Sequence, residues 1–275
     1  MSKGFWFQEM HSGSSGLVLG VSRLIFSHES RYQRIEIFEN DFFGKILVLD
    51  GCVMTTERDE FIYHEMLVHP GLLVHPDPQE VLIIGGGDGG ALREVLRYPV
   101  RKAVLVEIDQ AVVDAAKAYL PTLSSGFSDP RALALYEDGF EFMRRTPPES
   151  YDLIIVDSPD PVGAAKSLFT KEFYREAFRV LSKPGALVIQ AESPIHHLET
   201  IKDIKKSLLS AFGEVNFYTS PVPTYPGGWW CYALCLKGID GFEPKREPPD
   251  GLRYYNHRVH RAGFALPEFL RKDLM

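Results

Sequence analysis

The chain has 275 residues, 45% of them hydrophobic and 24% charged, and a net charge of −7. This is the length of one large α/β domain with a smaller appendage, and the composition of a soluble globular protein. The acidic balance repels phosphate backbones, which argues against nucleic acid as a partner and favours a small cationic one.

Met1 to Met10 shows no basic run followed by an apolar stretch, and no segment nears the roughly 20 apolar residues of a membrane span. A cytoplasmic location, with no membrane partner, is expected. From Phe5 to Thr56 the pattern is short and strand-like, with strands predicted over 24–27, 34–39, 45–49 and 52–55. Asp50-Gly51 between two apolar runs reads as a tight hairpin, because a type I′ turn needs positive φ at both central positions. Residues 1–57 are therefore predicted to form a small antiparallel β domain, and 58–275 the catalytic domain.

A helix over 59–68 is expected to stop at Pro70. Strands and helices then alternate: strand 81–84, helix 90–96, strand 103–106, helix 110–119, strand 132–136, helix 140–144 and strand 153–156. Thr170 is a fitting N-cap for a helix over 171–181, with Glu172 well placed against its dipole. Pro184-Gly185 breaks that helix before a strand over 186–189; a helix over 198–212 and strands near 215–218 and 231–236 follow. Near-continuous apolar strands alternating with helices mean a buried, mostly parallel, doubly wound sheet of Rossmann-like type. Cys231 and Cys235 read as buried thiols, and three cysteines are too few for a disulfide framework. Arg253 to Arg261 reads as a solvated basic tail. His196-His197 and His257-x-x-His260 lack acids or cysteines at ligand spacing, so no metal is expected.

Gly85-Gly86-Gly87-Asp88-Gly89-Gly90 lies between the first strand of the alternating region and its helix, satisfying Gly-x-Gly-x-x-Gly at Gly85, Gly87 and Gly90. Glu107 ends the next strand about 20 residues on, where an acid typically holds ribose hydroxyls. A nucleotide or nucleoside site at the strand C-termini follows. A nicotinamide dinucleotide shares this spacing, but its pyrophosphate needs loop amides free of negative charge, and Asp88 stands among them. Glu137-Asp138-Gly139 follows the third strand, where a carboxylate can accept from an adenine amino group; Asp138 would serve equally as an N-cap. Asp157-Ser158-Pro159-Asp160-Pro161 follows the fourth strand. Asp88, Glu107, Asp138 and Asp157 thus converge on one rim, and desolvated together they repel one another unless a cation joins them. A sulfonium nucleoside is such a cation. Ordinary S-adenosylmethionine carries a carboxylate that Asp88 would oppose; its decarboxylated form does not.

These residues, with Tyr32-Gln33, Leu47-Val48-Leu49-Asp50-Gly51, Thr56-Glu57-Arg58-Asp59-Glu60-Phe61-Ile62-Tyr63-His64-Glu65, Val106-Glu107-Ile108-Asp109 and Pro223-Thr224-Tyr225-Pro226, resemble the spermidine synthases over about Tyr32 to Leu270. The resemblance implies an α/β fold like that of the S-adenosylmethionine methyltransferases, behind an antiparallel β domain that makes a homodimer or homotetramer interface. It implies transfer of the aminopropyl group of decarboxylated S-adenosylmethionine, a co-substrate rather than a bound cofactor, to putrescine, giving spermidine and 5′-methylthioadenosine. By the same resemblance Gln33, Gly85, Gly87, Asp88, Glu107, Glu137, Asp138, Gly139 and Pro161 hold the donor, with Gln33 near its thioether end. His64, Asp88, Asp160, Gln190, Tyr225 and Trp230 face the acceptor, Asp160 and Gln190 toward its far nitrogen, and Asp157 sits on the loop that gates the pocket. Pro159, Ala164-Ala165 and Gly227-Gly228-Trp229-Trp230 depart from the commonest family pattern, and all touch the acceptor wall and gate.

Such a reaction needs no metal or covalent intermediate, since the sulfonium is already an excellent leaving group. The amine is the difficulty, being protonated at neutral pH with a pKa of about 10 by analogy with lysine. Asp157 is expected to take its proton, with Tyr63 and Tyr225 orienting the nitrogen. The competing readings are the same transfer to agmatine, spermidine or another amine, an S-adenosylmethionine-dependent amine N-methyltransferase, and a nucleoside-binding protein without catalysis.

Overall fold

The computed structural model describes residues 4–160 and 163–275. β1 (Phe5–Met10) and β2 (Gly16–Val21) pair as an antiparallel hairpin. β3 (Arg23–Glu29), β4 (Arg34–Asn40), β5 (Gly44–Leu49) and β6 (Cys52–Thr56) form a four-stranded antiparallel sheet. Its last turn has the predicted conformation, with φ 49° at Asp50 and 83° at Gly51. The sequence pattern does not separate out β1 and β2, because the inward phase of β1 carries an acid. Glu9 is buried, whereas Trp6 and Met10 on the other phase are 73% and 63% exposed.

α1 (Glu60–Val74) does not stop at Pro70 but runs through it. Proline removes the N–H that would bond the carbonyl of Met66 and ordinarily breaks a helix interior. Here the buried hydroxyl of Tyr218 donates to that carbonyl at 2.9 Å in its place. The lost bond is replaced from another element, which local sequence does not reveal.

The second region alternates as predicted: β7 (Glu80–Gly85), α2 (Gly90–Val95), β8 (Lys102–Glu107), α3 (Gln110–Tyr119), β9 (Ala132–Tyr136), α4 (Gly139–Arg145), β10 (Tyr151–Asp157), α5 (Lys171–Val180), β11 (Leu181–Gln190), α6 (Leu198–Phe212), β12 (Asn216–Pro221) and β13 (Trp229–Lys237). Thr170 caps α5, its side chain accepting from Phe173 N–H. The strands order as β12-β13-β11-β10-β7-β8-β9, parallel from β11 to β9, with β13 antiparallel to both its neighbours. Alternate residues of β7 feed two cores, Val81 and Ile83 on one face, Leu82 and Ile84 on the other. That is why the strand is apolar without a break. From β7 the chain steps outward to β8 and β9, then crosses to β10 and β11. This switch point between β7 and β10 opens the crevice in which such sheets bind ligands. The four-stranded sheet closes over it, packing Ile35, Ile37, Leu47 and Leu49 against Val112 and Ala115 of α3.

The expected solvated basic tail is instead a docked helix, α7 (His257–Phe264), followed by α8 (Glu268–Leu274). Arg258 and Arg261 are exposed, but helical spacing turns His260 and Gly263 inward. His260 is fully buried between the Tyr255 hydroxyl at 2.7 Å and the Phe242 carbonyl at 2.8 Å. The segment ahead of α7 is tied to α1: the buried carboxylate of Glu65 accepts from the backbone N–H groups of Arg253, Tyr254 and Tyr255 at 2.7–2.9 Å. No helix among the described residues is long and apolar enough to cross a membrane.

Candidate active site

A cavity of about 330 Å³ lies at the carboxyl ends of β7, β8 and β10, under the four-stranded sheet. Gln33, Tyr63, Gly85, Gly87, Asp88, Glu107, Asp138, Gly139, Asp157, Asp160 and Tyr225 all line it. A smaller space of about 40 Å³ shares Tyr63, Asp160 and Tyr225 with it and adds Gln190, Trp230 and Glu9. Of the other sequence-predicted residues, His64 and Glu137 line neither space, and Pro161 lies outside the described residues. Glu137 instead pairs with Arg145.

The first glycine of the loop is set by close approach. Gly85 has φ 82°, and a Cβ there would lie 2.1 Å from the Asp157 carbonyl oxygen. Gly86 N–H donates to that same oxygen at 2.7 Å, so the ends of β7 and β10 are stitched together. At the end of β8, burial pushes the Glu107 carboxyl up to about 7, against the bond it accepts from Asp109 N–H at 2.9 Å. Asp109 in turn accepts from the side-chain amide of Gln33 at 3.1 Å and the Ser30 hydroxyl at 2.6 Å, which fixes the β domain's contribution to this end. One oxygen of Asp138 caps α4, accepting from Phe140 and Glu141 N–H at 2.8 and 3.0 Å. The capping reading of Asp138 is therefore realised, and its other oxygen is not used by the cap.

At the centre, the Tyr63 hydroxyl donates to Asp157 Oδ1 at 2.7 Å. Burial raises the Asp157 carboxyl to about 6; His64 opposes the rise and Asp88 adds to it. Burial alone would raise Asp88 too, but the neighbouring His64 ring holds it below its ordinary value. The Tyr225 ring packs 5.3 Å from that of Tyr63 and 4.8 Å from that of Trp230, and its hydroxyl donates to the Met54 carbonyl at 2.6 Å. The Tyr225 loop is anchored by buried Asp59, which accepts from both the N–H and the hydroxyl of Thr224 at 3.2 and 2.8 Å. His64, Asp88 and Asp157 bring potential cation ligands within 4.8 Å of one another. The pair of carboxylates suits an ammonium.

A second acidic cluster stands at the far end, where the resemblance sets Asp160 and Gln190; Glu9 and Glu192 join them and were absent from the sequence reading. Glu9 reaches in from β1, its carboxylate accepting from Val53 N–H at 2.8 Å, and burial pushes it up to about 7. Burial and then Glu192 push Asp160 to about 7 as well. Glu192 is 1% exposed, adopts φ 73°, and pairs with His197 at 2.9 Å. A non-glycine residue held left-handed beside a cavity is strain of the kind that collects at functional sites. Gln190 braces this end: its amide nitrogen donates to the Ser158 carbonyl at 3.2 Å and its oxygen accepts from Glu192 N–H at 3.0 Å. The buried indole N–H of Trp230 and hydroxyl of Ser158 have no hydrogen-bond partner among the described residues. Glu192 follows the fifth parallel strand and so extends the series of strand-end acids, a signal present in the sequence. Glu9 had only its inward phase on a short strand.

The family model described as a spermine/spermidine synthase domain matches residues 60–242, and that described as a spermidine synthase tetramerisation domain matches 5–57. The chain is 45% identical to the polyamine aminopropyltransferase of Hydrogenobaculum sp. over 93% of this chain and 91% of that protein. It is similar to the crystal structure of spermidine synthase in complex with the transition-state analogue AdoDATO, with a TM-score of 0.94 and 43% identity over 98% of this chain and 94% of that one. Against spermidine synthase from Thermotoga maritima the TM-score is 0.93 and the identity 42%, over 99% and 94% of the two chains.

Proposed function

Because the chain belongs to the spermine/spermidine synthase family and is an enzyme of the polyamine aminopropyltransferase type, we propose that it transfers the aminopropyl group of decarboxylated S-adenosylmethionine to putrescine, releasing 5′-methylthioadenosine. The observation that carries putrescine is the presence of two acidic poles along two aromatic-floored spaces that share the walls Tyr63, Asp160 and Tyr225. Asp88 and Asp157 form one, Glu9 and Asp160 the other, backed by the buried Glu192 beside Asp160, with Tyr63 and Tyr225 between them. A short diamine has a cationic nitrogen for each pole.

In this reading Glu107 takes the donor's ribose hydroxyls, Asp138 its adenine, and Gln33 lies by its thioether end. The far ammonium of putrescine rests by Glu9 and Asp160, while its near nitrogen sits by Asp157 and the two tyrosines. That nitrogen gives up a proton to Asp157. Its lone pair then forms the new bond to the aminopropyl carbon as the carbon–sulfur bond breaks, its electron pair neutralising the sulfonium. Burial narrows the gap between the Asp157 carboxyl and an ammonium near 10 by about two pH units, which makes the proton transfer less uphill. Alignment of nitrogen, carbon and sulfur contributes more, about 7–11 kcal/mol against the 10²–10⁴-fold of a general base.

We read residues 1–57 as both site wall and assembly domain, in a homodimer or homotetramer. The outward phase of β1, with Trp6 and Met10, would be covered by a second copy. Three free cysteines fit a cytoplasmic enzyme. The test is incubation with intact and decarboxylated S-adenosylmethionine and a panel of amines, with products identified by mass spectrometry. Spermidine from putrescine is expected. A methylated amine, or preference for agmatine or spermidine as acceptor, would replace the proposal.

A further inference from the structure

We propose that Cys52 is a site of reversible covalent modification, a thiol that short cationic alkyl disulfides reach through the acceptor's space and convert to a mixed disulfide. Its effect on turnover rests on the aminopropyl-transfer reading; the modification itself does not. Of the three cysteines, Cys231 and Cys235 are fully buried, whereas half-buried Cys52 lines both the large cavity and the small space beside it. The Asp50-Gly51 turn sets it at the first position of β6, paired with Leu49 of β5. The next residue, Val53, gives its N–H to Glu9 at 2.8 Å, which holds that carboxylate at the start of the same strand.

The small space is built for a polar guest. The Trp230 indole N–H and the Ser158 hydroxyl are buried, belong to residues that line it, and have no hydrogen-bond partner among the described residues. Glu9 and Asp160 line it too. Buried groups left unpaired in this way carry a desolvation penalty that a fitting ligand removes. An ammonium donates to the carboxylates and to the Ser158 oxygen, and a disulfide sulfur is a weak acceptor for the indole N–H. A volume of about 40 Å³ holds roughly three water-sized groups, so an aminoethyl arm fits where a tripeptide thiol does not. Burial, then Glu9, Asp160 and Asp50, push the Cys52 thiol up to about 11, which keeps it protonated and slow toward neutral or anionic reagents. A cationic disulfide brings the missing counter-charge and so favours the thiolate that attacks it. A bond forms from Cys52 Sγ to one sulfur of the reagent, the reagent's own sulfur–sulfur bond breaks, and the departing thiolate takes up the proton that Cys52 lost. The aminoethylthio group then occupies the place of the acceptor's far ammonium.

Intact-mass spectrometry of the full chain with the aminoethyl, hydroxyethyl and carboxyethyl disulfides tests this, each rate divided by that of the same reagent with free cysteine. A single aminoethylthio adduct should form, on Cys52 by peptide mapping, about 10- to 10³-fold faster than the hydroxyethyl adduct, with the anionic reagent slower still. Relative rates independent of reagent charge, or an adduct mapped to Cys231 or Cys235, would overturn the proposal. C52S should take no adduct; if it does not fold, the mapping on wild type decides. The adduct should block putrescine turnover until dithiothreitol removes it, and an adduct that leaves turnover unchanged would place the thiol off the acceptor's path. A wild type that makes no polyamine would sink the functional reading alone, since the adduct masses need no turnover.

Discussion

Replacing Asp157 with asparagine tests the assignment of the proton acceptor. The amide that D157N introduces keeps an oxygen able to accept the 2.7 Å bond from Tyr63, so the local packing survives while the basic group does not. A general base contributes 10²–10⁴-fold, which at 1.36 kcal/mol per tenfold is about 2.7–5.5 kcal/mol of transition-state stabilisation. Methylthioadenosine carries neither the aminopropyl group nor its charge, so its affinity should change by less than about threefold, or roughly 0.65 kcal/mol. In the wild type, burial raises Asp157 to about 6, so the ionised base is present above that pH and lost as pH falls through it. The wild-type rate should therefore have an acid limb near pH 6 that D157N lacks. Single-turnover rates between pH 5 and 9, with calorimetry of methylthioadenosine binding, read both quantities. A variant turning over within threefold of wild type, with its acid limb intact, would refute the assignment.

Glu9→Gln keeps the acceptor for Val53 N–H but removes a charge from the far pole; a charged hydrogen bond of about 1.5–3 kcal/mol predicts a KM for putrescine roughly 10- to 100-fold higher, with kcat little changed. Propylamine, with a single nitrogen, should show no such change. Glu9 and Asp160 both stand near 7 in the free enzyme and are charged above that pH, so wild-type KM should rise as pH falls below 7 in steady-state assays. Tyr218→Phe strands the Met66 carbonyl and should cost about 1–3 kcal/mol in denaturant unfolding. Adding Pro70→Ala, which restores the helical N–H, should recover much of that loss; simple additivity would show that the two sites are not coupled. Trp6→Glu should shift sedimentation toward smaller species, and an unchanged profile would move the interface elsewhere.

What could be read locally in the sequence was the alternation, the Asp50-Gly51 turn, the Thr170 cap and the acids that end each parallel strand, because each depends on residues close together in the chain. What could not be read depends on partners far away in sequence. α1 passes Pro70 because Tyr218, 152 residues on from Met66, replaces the missing donor. The resemblance sets His64 toward the acceptor, but it lines neither space, and its ring faces Glu60 one turn earlier on α1 and Asp88 after β7. Glu9 joins the far pole only because the first hairpin folds across β4 and β6, and nothing within its own strand announces that. α7 was hidden by its arginines, whose charges are real but confined to one face.

The glycine loop has the spelling of a phosphate binder and the wiring of something else. A pyrophosphate or an amino-acid carboxylate would need backbone N–H groups turned toward it at the start of α2. Three of those groups are already taken inside the protein. Gly86 N–H bonds the Asp157 carbonyl, Gly89 N–H the Gly86 carbonyl, and Gly90 N–H the Asp88 carboxylate. An anion arriving here meets Asp88 and Asp157 in place of those donors, and would carry the full desolvation penalty of an unpaired charge. A carboxyl-free sulfonium with an ammonium at its end meets the charge it lacks. The same backbone geometry that elsewhere cradles a phosphate can therefore favour a decarboxylated donor, and the change is made by one side chain folding back onto its own loop.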